Sequence, residues 1–255
     1  DKTTQFYRAT VHHPFRKHFK SRFPAANVRR LPEWFATDTM FFDVPAHDDG
    51  IPGHGGCKML QLYGGIDSHF LAGYPMASET DMPETMEDFI REHGAMQGLM
   101  SDNAKVEIGN RIKSIERLYC IKDHQSEPHY EHQNHVERRI QDVKRLSNNI
   151  MDGVGCPSRF WLLTVLFVIG LSNHMANSNG AIPLSIVTGK VTDISPYLSF
   201  HFWQEVFYEE PKKKGEKLGR WCGPAFTKGD KLTYWILTND TEQLIARSNV
   251  RPAKD

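Results

Sequence analysis

Asp38, Asp102 and Glu137 lie far apart in the chain, yet their settings would let them do chemistry together. Asp38 interrupts the aromatic and β-branched run WFATDTMFFDV, Asp102 follows the short apolar run GLMS, and Glu137 stands near the start of a helical pattern. Carboxylate oxygens are hard ligands that suit Mg²⁺ or Mn²⁺. Two such ions about 3.5–4 Å apart stabilise both oxygens of an in-line phosphoryl displacement. Three carboxylates gathered without a cation would repel one another, and a metal removes that cost. The ordinary reading stands beside this one. A lone Asp at a strand end caps or turns the chain, and a lone Glu on a helix faces water. Asp43, Asp48, Asp49 and Asp67 are competing acids. Asp43 is the fallback for the first ligand. It is an odd number of residues from Asp38, so in a regular strand it points to the opposite face.

The company of Glu137 is basic. Arg138, Arg139 and Arg145 surround it, and Gln141 and Lys144, four and seven residues on, share its helical face. With Asn134 just before the helix, Arg138, Gln141 and Lys144 could touch DNA phosphates or bases. An ordinary solvated face is the alternative. His12, His13 and His18 have no Cys pair nearby to complete a zinc site. His47, His54, His124, His129, His132 and His135 read as solvated loop histidines, with a pH-sensitive gate as the alternative.

The elements that must position these groups can be read from pattern. Residues 34–44, 57–66 and 69–76 have strand character and predict an antiparallel meander, with a turn-rich loop at 45–56 and Asp67 orienting the second turn. Residues 82–94 predict a helix capped by Thr80 or Asp81, with Pro83 in its first turn and Gly94 at its end. A short strand at 96–103, a helix at 107–119, a short strand near 120 and a helix from about 134 follow. The 13-residue apolar run at 160–172 is too short to span a bilayer, which needs about 20 residues, and reads as a buried helix beginning at Phe160 and Trp161. The tail, with strands at 200–210, 218–226, 232–238 and 244–250, predicts a small barrel of four or five strands. Trp203, Trp221, Tyr234 and Trp235 are its core candidates, leaving room for one exposed stacking ring.

Composition adds limits. Lys plus Arg equals Asp plus Glu at 31 each, so net charge selects no partner, yet residues 1–30 hold eight basic side chains against Asp1 alone. Such an arm fits a polyanion partner or a solvated tail. Four Cys without a CxxC pair argue against a zinc ribbon or a disulfide framework and suit a reducing compartment.

The ordered set WFATDTMFFD, YGGIDSHF, LMSDNAKVE, HQNHVERRI, SRFWLLTV and IPLSIVTGKVTDIS resembles the catalytic core of retroelement integrases, most of all the copia-type retrotransposon branch. The resemblance covers about residues 34–195. It implies an α/β, ribonuclease H-like fold: a mixed five-stranded sheet flanked by helices. It implies three parts: a basic arm at 1–33, the core at 34–195, and a small SH3- or chromo-like β-barrel at 196–255. Asp38, Asp102 and Glu137 match the family's D,D,E triad, with Glu137 following Asp102 by 35 positions. The triad would hold two Mg²⁺ or Mn²⁺ ions. The implied activity is trimming of DNA ends and transfer of a 3′-hydroxyl onto target DNA. The implied partners are DNA and further copies of the chain, with no membrane. The implied locations are a cytoplasmic particle and then the nucleus. Ala104 stands where the family has Gly, and the segment 133–137 is one residue short. These departures favour the alternative, a decayed or domesticated nucleic-acid-binding module. A ribonuclease H-type nuclease is a third reading.

Overall fold

In the computed structural model, residues 21–101, 106–125, 135–210 and 215–253 are described. Strands β1 (Trp34–Phe41), β2 (Met59–Gly65) and β3 (Leu71–Met76) form the expected meander. Helix α1 (Met82–His93) leads to β4 (Gly98–Ser101), helix α2 (Val106–Tyr119) to β5 (Lys122–Gln125), and both strands add in parallel beyond β1. The order is β3-β2-β1-β4-β5, which puts β1 in the middle of a mixed sheet. Helix α3 (His135–Val154), α4 (Trp161–His174), α5 (Pro183–Thr188) and α6 (Ser195–Leu198) complete this part.

Strand alternation sorts the core into two layers. Phe35, Tyr63, Phe89, Leu99, Ile112 and Ile115 pack between the sheet and α1 and α2. Ala36, Met40, Leu60, Leu62, Ile140, Val143, Trp161 and Val165 pack between the other face and α3 and α4. Phe160 and Trp161 are buried, and the Trp161 indole donates to Val44 O at 2.9 Å. Gly98 is required at its place, because a Cβ there would lie 2.3 Å from the Trp34 ring.

Two local expectations change. The helix after β3 starts at Met82 with Asp81 at its N-cap position, as expected, but the Asp81 side chain turns back to the preceding 3₁₀ turn, where Ser78 is the cap and Thr80 is not. Ser78 and Asp81 form a reciprocal capping box around a 3₁₀ turn, Glu79–Asp81. The β2–β3 turn is held by Glu33, whose Oε2 accepts from the Ser68 N–H at 3.0 Å inside the protein, whereas Asp67 is exposed.

The tail forms a second sheet of five antiparallel strands: β6 (Glu205–Glu209), β7 (Glu216–Pro224), β8 (Tyr234–Thr238), β9 (Leu244–Arg247) and β10 (Val250–Pro252), in the order β10-β6-β7-β8-β9. The stretch expected as one strand at 244–250 is two, on opposite edges. In a flat sheet these edges would stand about 19 Å apart. The three-residue step from Arg247 to Val250 reaches at most about 11 Å, so the sheet must curl strongly. Curling is present; no hydrogen-bonded closure between β9 and β10 occurs among the described residues. Trp221, Tyr208, Tyr234 and Ile236 fill the concave side. Trp203 is buried too, and Trp235 is half-buried with Lys228 Nζ 5.0 Å from its ring centre.

The two sheets share an apolar seam of Cys156, Phe160 and Leu163 against Phe202, Trp203, Cys222 and Leu237. The loop at 45–56 completes the junction. Leu244 N donates to Asp49 O at 2.8 Å, and Arg159 reaches Glu242 Oε1 at 2.6 Å. Gly50, at φ 82°, lets Gln243 approach to where a Cβ would be. All four cysteines are free thiols, and no helix among the described residues is long and apolar enough to cross a membrane.

Glu116 of α2 is buried, and burial followed by the nearby Asp123 carboxylate of β5 pushes its pKa up to about 7. The native state therefore keeps a proton, between about pH 4.5 and 7, that an unfolded glutamate gives up. Stability should fall as pH rises through that window. Glu116→Gln should gain about 1–3 kcal/mol more at pH 8 than at pH 5 in paired urea titrations. Equal gains at both pH values would contradict the burial of this carboxyl.

Candidate active site

Asp38 sits in the middle of the central strand and is half-buried. Its neighbours at the same parity, Ala36 and Met40, pack with Ile140 and Val143, so Asp38 lies on the face that α3 covers. Its Oδ1 accepts from the Thr39 N–H at 2.7 Å. Among the described residues β1 pairs with β4 from Trp34 with Gly98 to Thr37 with Ser101, and Asp38 is the next residue of β1. Ser101 is the last residue of β4. Asp102 itself, like Asn134, lies outside the described residues.

The facing of α3 follows from its 3.6-residue period. Ile140, Val143 and Ser147 are buried and point to the sheet. Arg139 is turned roughly 75° to one side of them and Glu137, Gln141 and Lys144 roughly 95° to the other. Arg139 hydrogen-bonds to the His69 ring in the β2–β3 turn. That contact assigns the Arg139 flank to the β2 side of β1, so the Glu137 flank faces the β4 side. Helix α4 packs against α3 and over β3, which leaves the β4 flank uncovered by it. Glu137, Arg138 and Gln141 are exposed, and Lys144 is half-buried. Burial, as the larger effect, holds Arg139 below the usual arginine range.

Thus Asp38 and Glu137 share one side of the sheet, and Glu137 lies on the flank toward β4. Their oxygen donors and access to water fit a hard divalent cation. Among the described residues, no group of three His, Cys, Asp or Glu side chains is placed to hold a metal. Asp43 falls after the end of β1 and is exposed. Asp49 is buried and accepts from Ile51 N at 2.9 Å, while its other oxygen is 2.9 Å from His54 Nδ1, so it is built into the junction loop. His47, expected as a solvated histidine, is half-buried against Glu242 and Phe160. His12, His13, His18, His129 and His132 lie outside the described residues. Sequence reading missed Thr37, Thr39 and Gln61, polar residues linked beneath Asp38 on the opposite face of the sheet. The signal was there in threonines on both sides of an aspartate and a glutamine inside an apolar strand.

No protein-family model matches the sequence, and no curated protein matches it. Solved structures do. A chain of the simian T-cell lymphotropic virus intasome, in complex with PP2A regulatory subunit B56 gamma, aligns over 92 % of this chain and 84 % of its own, with 14 % identity and a TM-score of 0.51. The fold is integrase-like. The catalytic core domain of BIV integrase matches with 14 % identity over 62 % of this chain and 94 % of its own, at a TM-score of 0.45. The HTLV-2 integrase catalytic core domain in complex with magnesium, in its trimeric form, matches with 18 % identity over 62 % and 97 %, at a TM-score of 0.46. At 14 % identity the likeness to the intasome chain is one of fold, and individual residues must be judged on their own geometry.

The assigned facing of α3 predicts different costs at adjacent arginines. Arg139→Ala should destabilise by about 1–3 kcal/mol through loss of its part-buried, charge-assisted hydrogen bond to His69. Arg138→Ala should stay within about 0.5 kcal/mol. Thermal melts of the two variants decide this, and the reverse order would mean that α3 is rotated.

Proposed function

We propose that this chain is the integrase of a copia-type retrotransposon polyprotein, a metal-dependent polynucleotidyl transferase acting on DNA. The observation that carries the reading is the place of Asp38. A carboxylate stands in the central strand, on the face covered by α3. Glu137 lies on the flank of α3 toward β4. Asp38, Asp102 and Glu137 would hold two Mg²⁺ or Mn²⁺ ions. Bound there, the ions would supply Lewis-acid activation of the attacking oxygen and charge stabilisation of the leaving one.

The chain's own residues would do the rest. Three carboxylates bind and space the cations. Arg138, Gln141, Lys144 and Asn134 would position DNA along the exposed flank through phosphate and base contacts. A 3′-hydroxyl would displace a deoxyribose oxygen at a target phosphodiester, so one phosphorus–oxygen bond forms as another breaks and no covalent intermediate with the protein is needed. Copies of the chain would assemble on the two DNA ends, first in a cytoplasmic particle and then in the nucleus.

Strand-transfer assays with pre-trimmed DNA ends test the reading. Asp38→Asn, Asp102→Asn and Glu137→Gln should each lower the rate at least about 100-fold, the scale of losing one electrostatic group from a catalytic site. Folding should survive or improve, since like-charge repulsion is relieved. Chelation of divalent ions should abolish transfer in the parent chain. Unchanged transfer by Glu137→Gln would sink the assignment. DNA binding that depends on salt but never on metal would instead favour a non-catalytic binding module.

A further inference from the structure

Beneath Asp38, on the face toward α1 and α2, a layer otherwise filled by Phe35, Phe89 and Leu99 holds a connected run of polar side chains. Thr39 Oγ1 donates to Gln61 Oε1 at 2.7 Å, and Gln61 Nε2 donates to Thr37 Oγ1 at 2.6 Å. Thr37 spends its own hydrogen on Leu62 O at 3.0 Å. Leu62 is the cross-strand partner of Asp38. The Tyr63 hydroxyl, paired across from Thr37, meets Thr85 Oγ1 of α1 at 2.9 Å, and Thr85 donates to Met82 O at 2.7 Å. Gln61 is 1 % exposed and Thr37 3 %, so these groups are out of water and had to be satisfied internally.

Gln61 bridges the two residues that flank Asp38. The proton directions fix its amide one way round, nitrogen toward Thr37 and oxygen toward Thr39. The bridge sits beside the pairing of β1 with β2, where Thr37 faces Tyr63, Asp38 faces Leu62 and Thr39 faces Gln61. The Thr39 peptide also holds the Asp38 carboxylate through its N–H. Movement at Thr39 therefore moves the carboxylate.

We infer that Gln61 is a positioning residue: through Thr37 and Thr39 it locks the backbone on both sides of Asp38 and so sets the direction of the carboxylate for cation binding. The inference rests on the metal-dependent reading above. Groups one step behind a metal ligand commonly change affinity by about 10- to 100-fold. A leucine or valine in place of Gln61 would suit this apolar layer without two such hydrogen bonds, so packing by itself does not call for an amide here.

The test uses the full chain and Gln61→Met, which keeps side-chain volume and removes the amide. Two quantities are read. Hydrogen exchange of the Thr39 amide by NMR reports the lock directly. Mn²⁺ affinity by electron paramagnetic resonance reports its consequence, with Asp38→Asn as the reference for lost binding. Gln61→Met should speed Thr39 exchange at least about tenfold and weaken Mn²⁺ binding about tenfold or more, while the Ile236 amide in the second sheet exchanges as before. If Gln61→Met does not fold, Thr39→Val carries the same expectation. Unchanged Thr39 exchange overturns the lock. Faster exchange with unchanged Mn²⁺ affinity overturns the positioning role and leaves Gln61 as packing. If parent and Asp38→Asn bind Mn²⁺ alike, the metal reading fails and the positioning role falls with it, and the exchange data still show whether the lock existed.

Discussion

A carboxylate in the middle strand of a sheet covered on both faces is the constraint around which this structure is arranged. Desolvating a charge there would cost several kcal/mol. The fold meets the difficulty at Asp38 by geometry. Helix α3 crosses with its apolar seam toward Ala36 and Met40, and its charged flank is turned toward β4. The group stays half-buried. Position and exposure come from the same few contacts, so the reactive group is held firmly without being sealed in.

The two sheets are joined by more than a linker. An apolar seam from Cys156 to Leu237 excludes water, and the loop at 45–56 adds backbone hydrogen bonds to the β8–β9 turn. The loop is rich in Gly and Asp, the composition of a solvated turn. Most of it stays exposed, and the burial of Ala46 and Asp49 goes with a distant strand pair that offers Glu242, Gln243 and Leu244 as partners to the loop. Strong curling of the second sheet brings those partners within reach.

Much of the architecture could be read from local pattern. Alternation in 34–44, the Gly94 stop, and the repeat of Ile140, Val143 and Ile150 each follow from a period that the chain carries in itself. Errors fell where two local choices were close in energy. Ser78, Thr80 and Asp81 can all cap a helix start, and the structure uses Ser78 and Asp81 together. Asp67 is a good turn residue, yet Glu33 holds that turn from 35 positions away. The break at Ser248 and Asn249 uses two turn-forming residues that were read into a single strand, and strand separation across the sheet demands it.

By itself the sequence determined which residues form strands and helices, which of their faces are apolar, and which acids stand where elements end. These properties depend on neighbours within a few positions, where backbone geometry sets the spacing. Only the tertiary structure decided that Asp38 and the Glu137 flank share one side of the sheet, that Arg139 turns inward to His69, and that Gln61 ties Thr37 to Thr39. Such relations depend on strand order and helix rotation, which emerge when distant segments compete for the same buried surface.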